Sequence, residues 1–411
     1  MTATCWRPIA AGIMLAAVLG MPAACEPVPE TDPADPGPGS EADTGEEASD
    51  ATGRTETGDS SLPAAAFATP EGLAVAGDFL VVANSHYGYG GATIEYGTGF
   101  LTVVDRDART VVHRIPLPAR NPQVVRTLGD RVWVLCSGTT TFDGENVLPL
   151  TDGALAGILL DRLADADGPD VVVPIGRDPA HPLVGYPSSL TFEGGEAWIA
   201  SGTAAAVFVV DLASGERVRG PDNPVVLGDL DVQDSIAMAP GPGGLLLAGS
   251  FNRDRVFAID PQARAPVEGL DFDAGTPGAM DGVMALAWRE GGAPNLFVLL
   301  GLASRVAAAT LGSGPAVVDP QFAVTGTTPN GILVDGDRVL VLNSGDNNVT
   351  AFDAGSGDAS GFRAVCPLSS NPYAMALGER AGRKELYVTG LLSNAVYVFD
   401  AQSGERLAEI P

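Results

Sequence analysis

The sequence predicts an all-β protein: a seven-bladed β-propeller of four-stranded antiparallel blades, preceded by a signal peptide and a disordered acidic tether. Three observations predict it. A pattern of short apolar strands and turns recurs about every 43 to 56 residues from Thr69 onward. Gly (52) and Pro (32) are abundant, as many turns require. Several strands read as unbroken apolar runs, such as Leu296-Phe297-Val298-Leu299-Leu300, which marks burial on both faces. Repeats of that length, each with four strands, cannot cover their own faces and are expected to stack radially.

The chain opens with an address. Arg7 supplies a positive start, and Pro8 to Ala24 is uncharged and mostly apolar. The run is too short and too Pro-interrupted for a membrane span. It ends at Ala23-Ala24-Cys25 and resembles a bacterial lipoprotein signal, with Pro22 where Leu is usual. That resemblance implies residues 1–24 as signal peptide, Cys25 as the lipidated residue, and an extracytoplasmic protein facing the periplasm or displayed on the cell surface. An ordinary secretory signal cut near Ala24 and an uncleaved anchor are the alternatives. Residues 25–61 carry Glu26, Glu30, Asp32, Asp35, Glu41, Glu46, Glu47 and further acids against Arg54, with no large apolar residue between Val28 and Leu62. Such a segment cannot offset its backbone entropy by burial and is expected to be an extended linker. The propeller is assigned to residues 62–411.

The repeats run in order. The first reads Thr69-Pro70-Glu71-Gly72-Leu73-Ala74-Val75, then Phe79 to Ser85, then Leu101 to Asp105. The sixth opens at Thr328-Pro329-Asn330 and the seventh at Asn371-Pro372-Tyr373. The third strand of each is expected to end at Asp105, Asp161, Asp211, Asp260, a degenerate place near Thr310, Asp353 and Asp400. Turns such as Asp211-Leu-Ala-Ser-Gly215 suggest that these aspartates accept hydrogen bonds from the turn that follows. The fifth copy, Met284 to Val324, is the most eroded. Glu405 to Ile410 already supplies a fourth strand for the last repeat, so either face packing closes the ring or Leu62 to Phe67 adds to that blade; the second is favoured.

Leu386-Tyr387-Val388-Thr389-Gly390 followed by Val396-Tyr397-Val398-Phe399-Asp400 resembles the YVTN repeat of bacterial surface propellers (the YncE-like group), and Pro70 to Val75 resembles NHL repeats. The resemblance covers about residues 69–411. It implies a propeller, and a group that includes binding proteins and a minority of lactonases.

The functional residues follow from place in the repeat. With 23 Lys and Arg against 51 Asp and Glu, the net charge is −28, which argues against nucleic acid as a partner. Asn84 and His86 open an insertion with Tyr87, Tyr89, Glu95 and Tyr96, whose mixture of Gly freedom and amphipathic Tyr area suits a binding loop. A second insertion, with Phe142 and Asp143, takes the same place one repeat later. Together they are expected to rim one face and to bind a protein, glycan or small ligand. The turns before the inner strands carry Asn121, Asp231, Asp234, Asp281, Asn330 and Asn371. Most are expected to be turn chemistry. The alternative is a Ca²⁺-dependent, lactonase-like hydrolase in which Asn121, Asp234, Asp281, Asn330 and Asn371 hold the ion at the axis. No cofactor is expected on the leading reading, which is a non-enzymatic, monomeric binding module. None of His86, His113 and His181 has zinc-site spacing.

Overall fold

The computed structural model describes residues 65–90, 93–312 and 314–411. The expected signal peptide, Cys25 and the acidic linker lie outside the described residues. From Pro70 to Ile410 the chain forms seven antiparallel sheets arranged as the blades of a propeller. Each blade runs outward from an inner strand: Pro70–Ala76, Pro122–Leu128, Pro187–Glu193, Ile236–Pro240, Val283–Trp288, Pro329–Asp335 and Pro372–Arg380. Five blades have four strands, and in blades 3 and 4 the outermost strand is broken into two short pieces. Neighbouring inner strands pack side by side around the ring, and the inner strand of blade 7 packs on that of blade 1.

The packing explains the apolar strand runs. The second and third strands are buried on both faces; Leu296 to Leu300 is wholly inaccessible. Apolar clusters sit between successive blades, for example Val81, Leu101, Val132 and Val134 between blades 1 and 2. Gly72 marks the closest approach of two inner strands, since a Cβ there would lie 2.4 Å from the Gln123 carbonyl oxygen.

One hydrogen bond is repeated in all seven blades. The N–H that follows the second strand donates to the carbonyl of the residue just before the inner strand: Ser85 to Thr69 (3.1 Å), Ser137 to Asn121 (2.9 Å), Gly202 to Tyr186 (2.8 Å), Phe251 to Ser235 (2.9 Å), Gly301 to Gly282 (2.8 Å), Ser344 to Thr328 (3.1 Å) and Leu391 to Asn371 (3.0 Å). In six blades the acceptor residue adopts a left-handed backbone, with φ of 48° at Thr69, 58° at Asn121, 45° at Tyr186, 75° at Gly282, 50° at Thr328 and 48° at Asn371. This end of the propeller, which also carries the connections between second and third strands, is called the upper face below.

The lower face holds the aspartate turns. Asp105, Asp211, Asp260, Asp353 and Asp400 each end a third strand and accept two backbone N–H groups of the next turn on Oδ1, at 2.7 to 3.2 Å. Those bonds hold the carboxyls of Asp211, Asp353 and Asp400 below the usual range. Blade 2 differs from expectation. Its third strand ends at Leu159, and Asp161 lies in a short 3-10 turn over Leu160–Arg162, where the longer connection to the outer strand makes the tight aspartate turn unnecessary. Thr310 ends the third strand of blade 5. Cys136 and Cys366 are free and buried, and burial pushes both thiols up to about 12.

Blade 7 takes all four strands from residues 372–410, and residues 65–69 add none to it; Leu62 to Ala64 of the expected N-terminal strand lie outside the described residues. Phe67, 1% exposed, fills the seam among Leu80, Val82, Tyr387, Val396, Val398 and Ile410. Below it, Arg106 donates to the Gly77 and Glu379 carbonyls (2.8 and 2.7 Å) and to the Tyr387 hydroxyl (3.1 Å). Glu385 is fully buried; it accepts from Tyr387 (2.6 Å) and from Arg109 (3.1 Å). Arg380 of blade 7 reaches Asp107 of blade 1 at 2.5 Å.

The seam predicts two weak points. Phe67→Ala should cost about 3–5 kcal/mol in urea unfolding. Glu385→Ala, which strands Arg109 and Tyr387, should cost a similar ~3–5 kcal/mol. A loss under about 1 kcal/mol in both would mean that the ring does not depend on this contact.

Candidate functional site

The upper face gathers polar side chains because of how its inner strands begin. In six blades the strand opens on the left-handed residue and then on a β-bulge that drops one or two residues out of pairing. The bulged residues are Glu71, Gln123, Ser188, Met284, Asn330 and, in blade 7, Tyr373 with Ala374. Blade 4 pairs without a bulge. A bulge re-aims its side chain, and here the repetition places one such side chain per blade near the channel mouth.

Glu71 is the central member. It is 3% exposed, and the side chains of Ser85, Gln123 and Tyr87 lie within hydrogen-bonding reach of its carboxyl, the Ser85 hydroxyl itself donating to the Pro122 carbonyl (3.1 Å). Burial outweighs these neighbours and raises the Glu71 pKa to about 7. Ser137 donates to Gln123 Oε1 (2.8 Å), which fixes the amide so that Gln123 Nε2 faces the Tyr186 hydroxyl (3.2 Å). Asn121 Nδ2 donates to the same hydroxyl (3.2 Å). Burial, and the nearness of Glu71 and of the other phenols, push Tyr186 and Tyr373 well above the ordinary range. Tyr96 belongs to the same electrostatic group. Among the described residues, four buried side-chain oxygens at this end have no hydrogen-bond partner: Glu71 Oε2, Asn121 Oδ1, Asn252 Oδ1 and Asn330 Oδ1. Each such acceptor costs about 1–3 kcal/mol, so the arrangement is held by the fold against a local penalty.

The residues expected from sequence divide. The first insertion forms a hairpin, Tyr87–Gly90 with Thr93–Tyr96, above the mouth. Tyr87 and Tyr96 face each other across it, ring centres 5.9 Å apart, and both join the Glu71 group. Tyr89 pairs with Ile94 in the register, and Glu95 is exposed. His86 is the hairpin's foot: its Nδ1 lies 3.1 Å from the Thr98 carbonyl oxygen and its ring meets Phe100 edge-on. Asn84 is wholly buried in the fold. Its Oδ1 accepts from Ala68 N (2.9 Å) and its Nδ2 donates to Thr102 (3.0 Å), as Asn343 does to Gly326 and Thr350 in blade 6. The second insertion is a hairpin too, Thr140–Phe142 with Val147–Pro149, tied across blade 3 by Val147 N to Gln233 Oε1 (2.9 Å). Phe142 is exposed at its end, and Asp143 accepts the Glu145 and Asn146 amides within the turn.

Of the five residues of the calcium alternative, both aspartates are engaged by hydrogen bonds from neighbouring groups. Asp234 accepts from Ser235 N, Asn252 N, Ser250 and Arg253. Asp281 Oδ2 accepts from Thr276 N (2.7 Å). Asp231 pairs with exposed His181. The Asn371 backbone carbonyl accepts from Leu391 N (3.0 Å), and Asn121 and Asn330 each keep a buried unpartnered oxygen. Among the described residues no three His, Cys, Asp or Glu side chains are grouped to hold a metal. Glu71, Gln123, Tyr186 and Tyr373 were not singled out from sequence. A signal existed: in five of the seven openings a polar or aromatic residue follows Pro at the start of the inner strand.

No family model and no curated protein matches the chain. Solved structures do match. Hydrazine synthase from Kuenenia stuttgartiensis superposes with a TM-score of 0.57 at 16% identity, over 82% of this chain and 97% of that one. The β-propeller domain of Cps50 (Swd1) from Myceliophteria thermophila gives 0.54 at 14%, over 82% and 97%. Virginiamycin B lyase from Staphylococcus aureus gives 0.49 at 17%, over 71% and 84%. At these identities the likeness is one of fold alone.

The buried acid predicts a pH effect. Its folded pKa, about 7, is raised above the ordinary 4.5, so the folded state holds a proton that the unfolded chain releases. Stability should therefore fall as pH rises from 4.5 to 7 and then level off. Compared with Glu71→Gln, the wild type should lose about 3 kcal/mol across that window in denaturant titrations. Parallel pH profiles would contradict the burial of an ionisable group there.

Proposed function

We propose that this protein is a binding module rather than an enzyme, and that its contact surface is the upper face. The observation that carries the reading is the asymmetry of the two faces. The upper connections expose Phe142, Leu150, Val232, Met280, Leu368 and Leu392, with Leu368 90% exposed. Both extra hairpins rise from the same side, beside the Glu71 group. The lower face also carries ion pairs between neighbouring turns, including Lys384 with Asp335 (2.6 Å), Arg380 with Asp107 (2.5 Å) and Arg289 with Asp337 (3.6 Å). It also has a shallow cleft of about 480 Å³ between the turns of blades 5 and 6. Apolar side chains around a polar mouth are the composition of a recognition surface. The engagement of Asp234 and Asp281 by their own turns supports binding over metal-assisted hydrolysis.

The finer reading is a lipoprotein of the YVTN and NHL-like propellers, anchored through Cys25 and held off the membrane by the acidic linker. The signal-like start of the sequence supports it. No helix among the described residues is long and apolar enough to cross a membrane.

Two measurements test these proposals. A thermal-shift screen of peptides, glycans and small amines against the full chain, with hits mapped by amide hydrogen exchange, should protect Tyr87–Tyr96, Thr140–Pro149 and the turns around Val232 and Met280. Protection confined to the lower face, or chemical conversion of a hit, would overturn the module. Cys25→Ser should move the protein from the membrane to the soluble fraction; continued membrane association would refute the lipid anchor.

A further inference from the structure

We propose that the upper mouth of the channel binds a primary ammonium group through Glu71 Oε2 and Asn121 Oδ1, against the tyrosines contributed by blades 1, 3 and 7. The assignment rests on the binding-module reading and names its ligand chemistry.

The unspent polar atoms define the complement. Glu71 is 3% exposed and Asn121 1%, and the oxygens left without a partner on both are acceptors. Asn121 Nδ2 and Gln123 Nε2 each commit a donor to the Tyr186 hydroxyl, at 3.2 Å in both cases. Ser137 locks the Gln123 amide in that orientation. A group rich in donors and lacking acceptors fits what remains, and an alkyl ammonium has three N–H donors and no acceptor. Asn330 Oδ1, at the equivalent bulge of blade 6, is another unpartnered oxygen at this end. An anion or a neutral carbonyl ligand would add acceptors to a surplus of them.

Charge and shape agree. A positive group beside the Glu71 carboxyl restores the ionisation that burial disfavours. Tyrosine faces attract cations, and Tyr87, Tyr96, Tyr186 and Tyr373 surround the carboxyl from the hairpin, blade 3 and blade 7. Burial keeps the phenols of Tyr186 and Tyr373 neutral at working pH, so the carboxyl is the group among these that titrates near neutrality. The chain's net charge of −28 raises the local concentration of cations over anions. Glu71 is shielded, so binding at Oε2 requires the side chains that cover the carboxyl to move.

The test uses the full chain and butylammonium chloride, titrated calorimetrically at constant ionic strength from pH 5 to 8.5. Tetramethylammonium, calcium chloride and sodium acetate serve as the other arms. Butylammonium should bind with one site per chain, tightening about tenfold per pH unit up to 7 and levelling above it. Tetramethylammonium, which offers no N–H, should bind more weakly, and acetate not at all. Glu71→Gln keeps the side-chain shape; it should lose at least tenfold in affinity and flatten the pH profile. Asn121→Leu should weaken binding while keeping the profile. No butylammonium binding, or equal binding to Glu71→Gln, overturns the assignment, and calcium binding without amine binding replaces it with a metal site. If amines fail while other screened ligands still protect the upper face, this inference falls and the module reading stands. If protection maps elsewhere, the module reading itself falls.

Discussion

Everything in this molecule depends on closing a wheel of seven sheets. Each blade exposes apolar flanks that only its neighbours cover, so an open ring would leave two greasy faces in water. At the seam between blades 1 and 7 the covering is done by side chains. Phe67 is inserted from the chain just before the first inner strand, so a single aromatic fills the apolar half. The polar half is a buried network in which Glu385 is met by Tyr387 and Arg109, and Arg106 spans both blades. A buried carboxylate is costly alone and acceptable only when its partners are complete. The seam is therefore cooperative: Arg106 stacks over the Tyr387 ring at 5.5 Å, the Tyr387 hydroxyl orients Glu385, and Glu385 holds Arg109.

Closure also fixes what the axis can do. The same left-handed residue and the same bulge recur because seven chains must converge on a narrow hole and turn outward again. Left-handed Thr69 and Thr328 are costly for β-branched residues, and the repeated hydrogen bond to each carbonyl holds them there. Once the backbone is set, the bulged side chain of each blade is free to vary. It is a carboxylate in blade 1, amides in blades 2 and 6, a phenol in blade 7 and a thioether in blade 5. The scaffold thus concentrates chemical variety in one place while the blade interiors stay uniform. Function on this fold is most economically written at those positions and in the connections that rise beside them.

That division explains what could be read in advance. The period, the blade count and the aspartate turns were legible because each is a local pattern repeated several times. Asp161 misled because a 3-10 turn displaced the strand end to Leu159, and an aspartate two residues on kept the apparent beat. Closure by Phe67 was not legible, since one phenylalanine before a strand carries no period. Glu71 was hidden for a different reason. In the sequence it is one acid among 51 acidic residues, in a turn-like Pro-Glu-Gly. Its burial arises only when Ser85, Gln123, Tyr87 and Tyr186 arrive from other strands, up to more than a hundred residues away. The insertions were recognised as a rim, yet Asn84 and Asp143, chosen for their polarity, are engaged in the fold's own hydrogen bonds.

Polarity in a loop is weak evidence of availability, because loops must satisfy their own backbones. The atoms that matter are those left over. Asp234 has two carboxylate oxygens, and Ser235, Ser250, Asn252 and Arg253 use them. Asp143 spends one on two amides. Glu71 is less exposed than Asp143, yet one of its oxygens is unspent. Folding alone gives no reason to hold a carboxyl with a pKa near 7 and a vacant acceptor among phenols, since leucine at that bulge would bury more cheaply. A residue that costs stability where an apolar one would add it is accounted for by something it meets after folding. On this face, ringed by exposed apolar side chains in an acidic chain, that something must bring hydrogen-bond donors and positive charge.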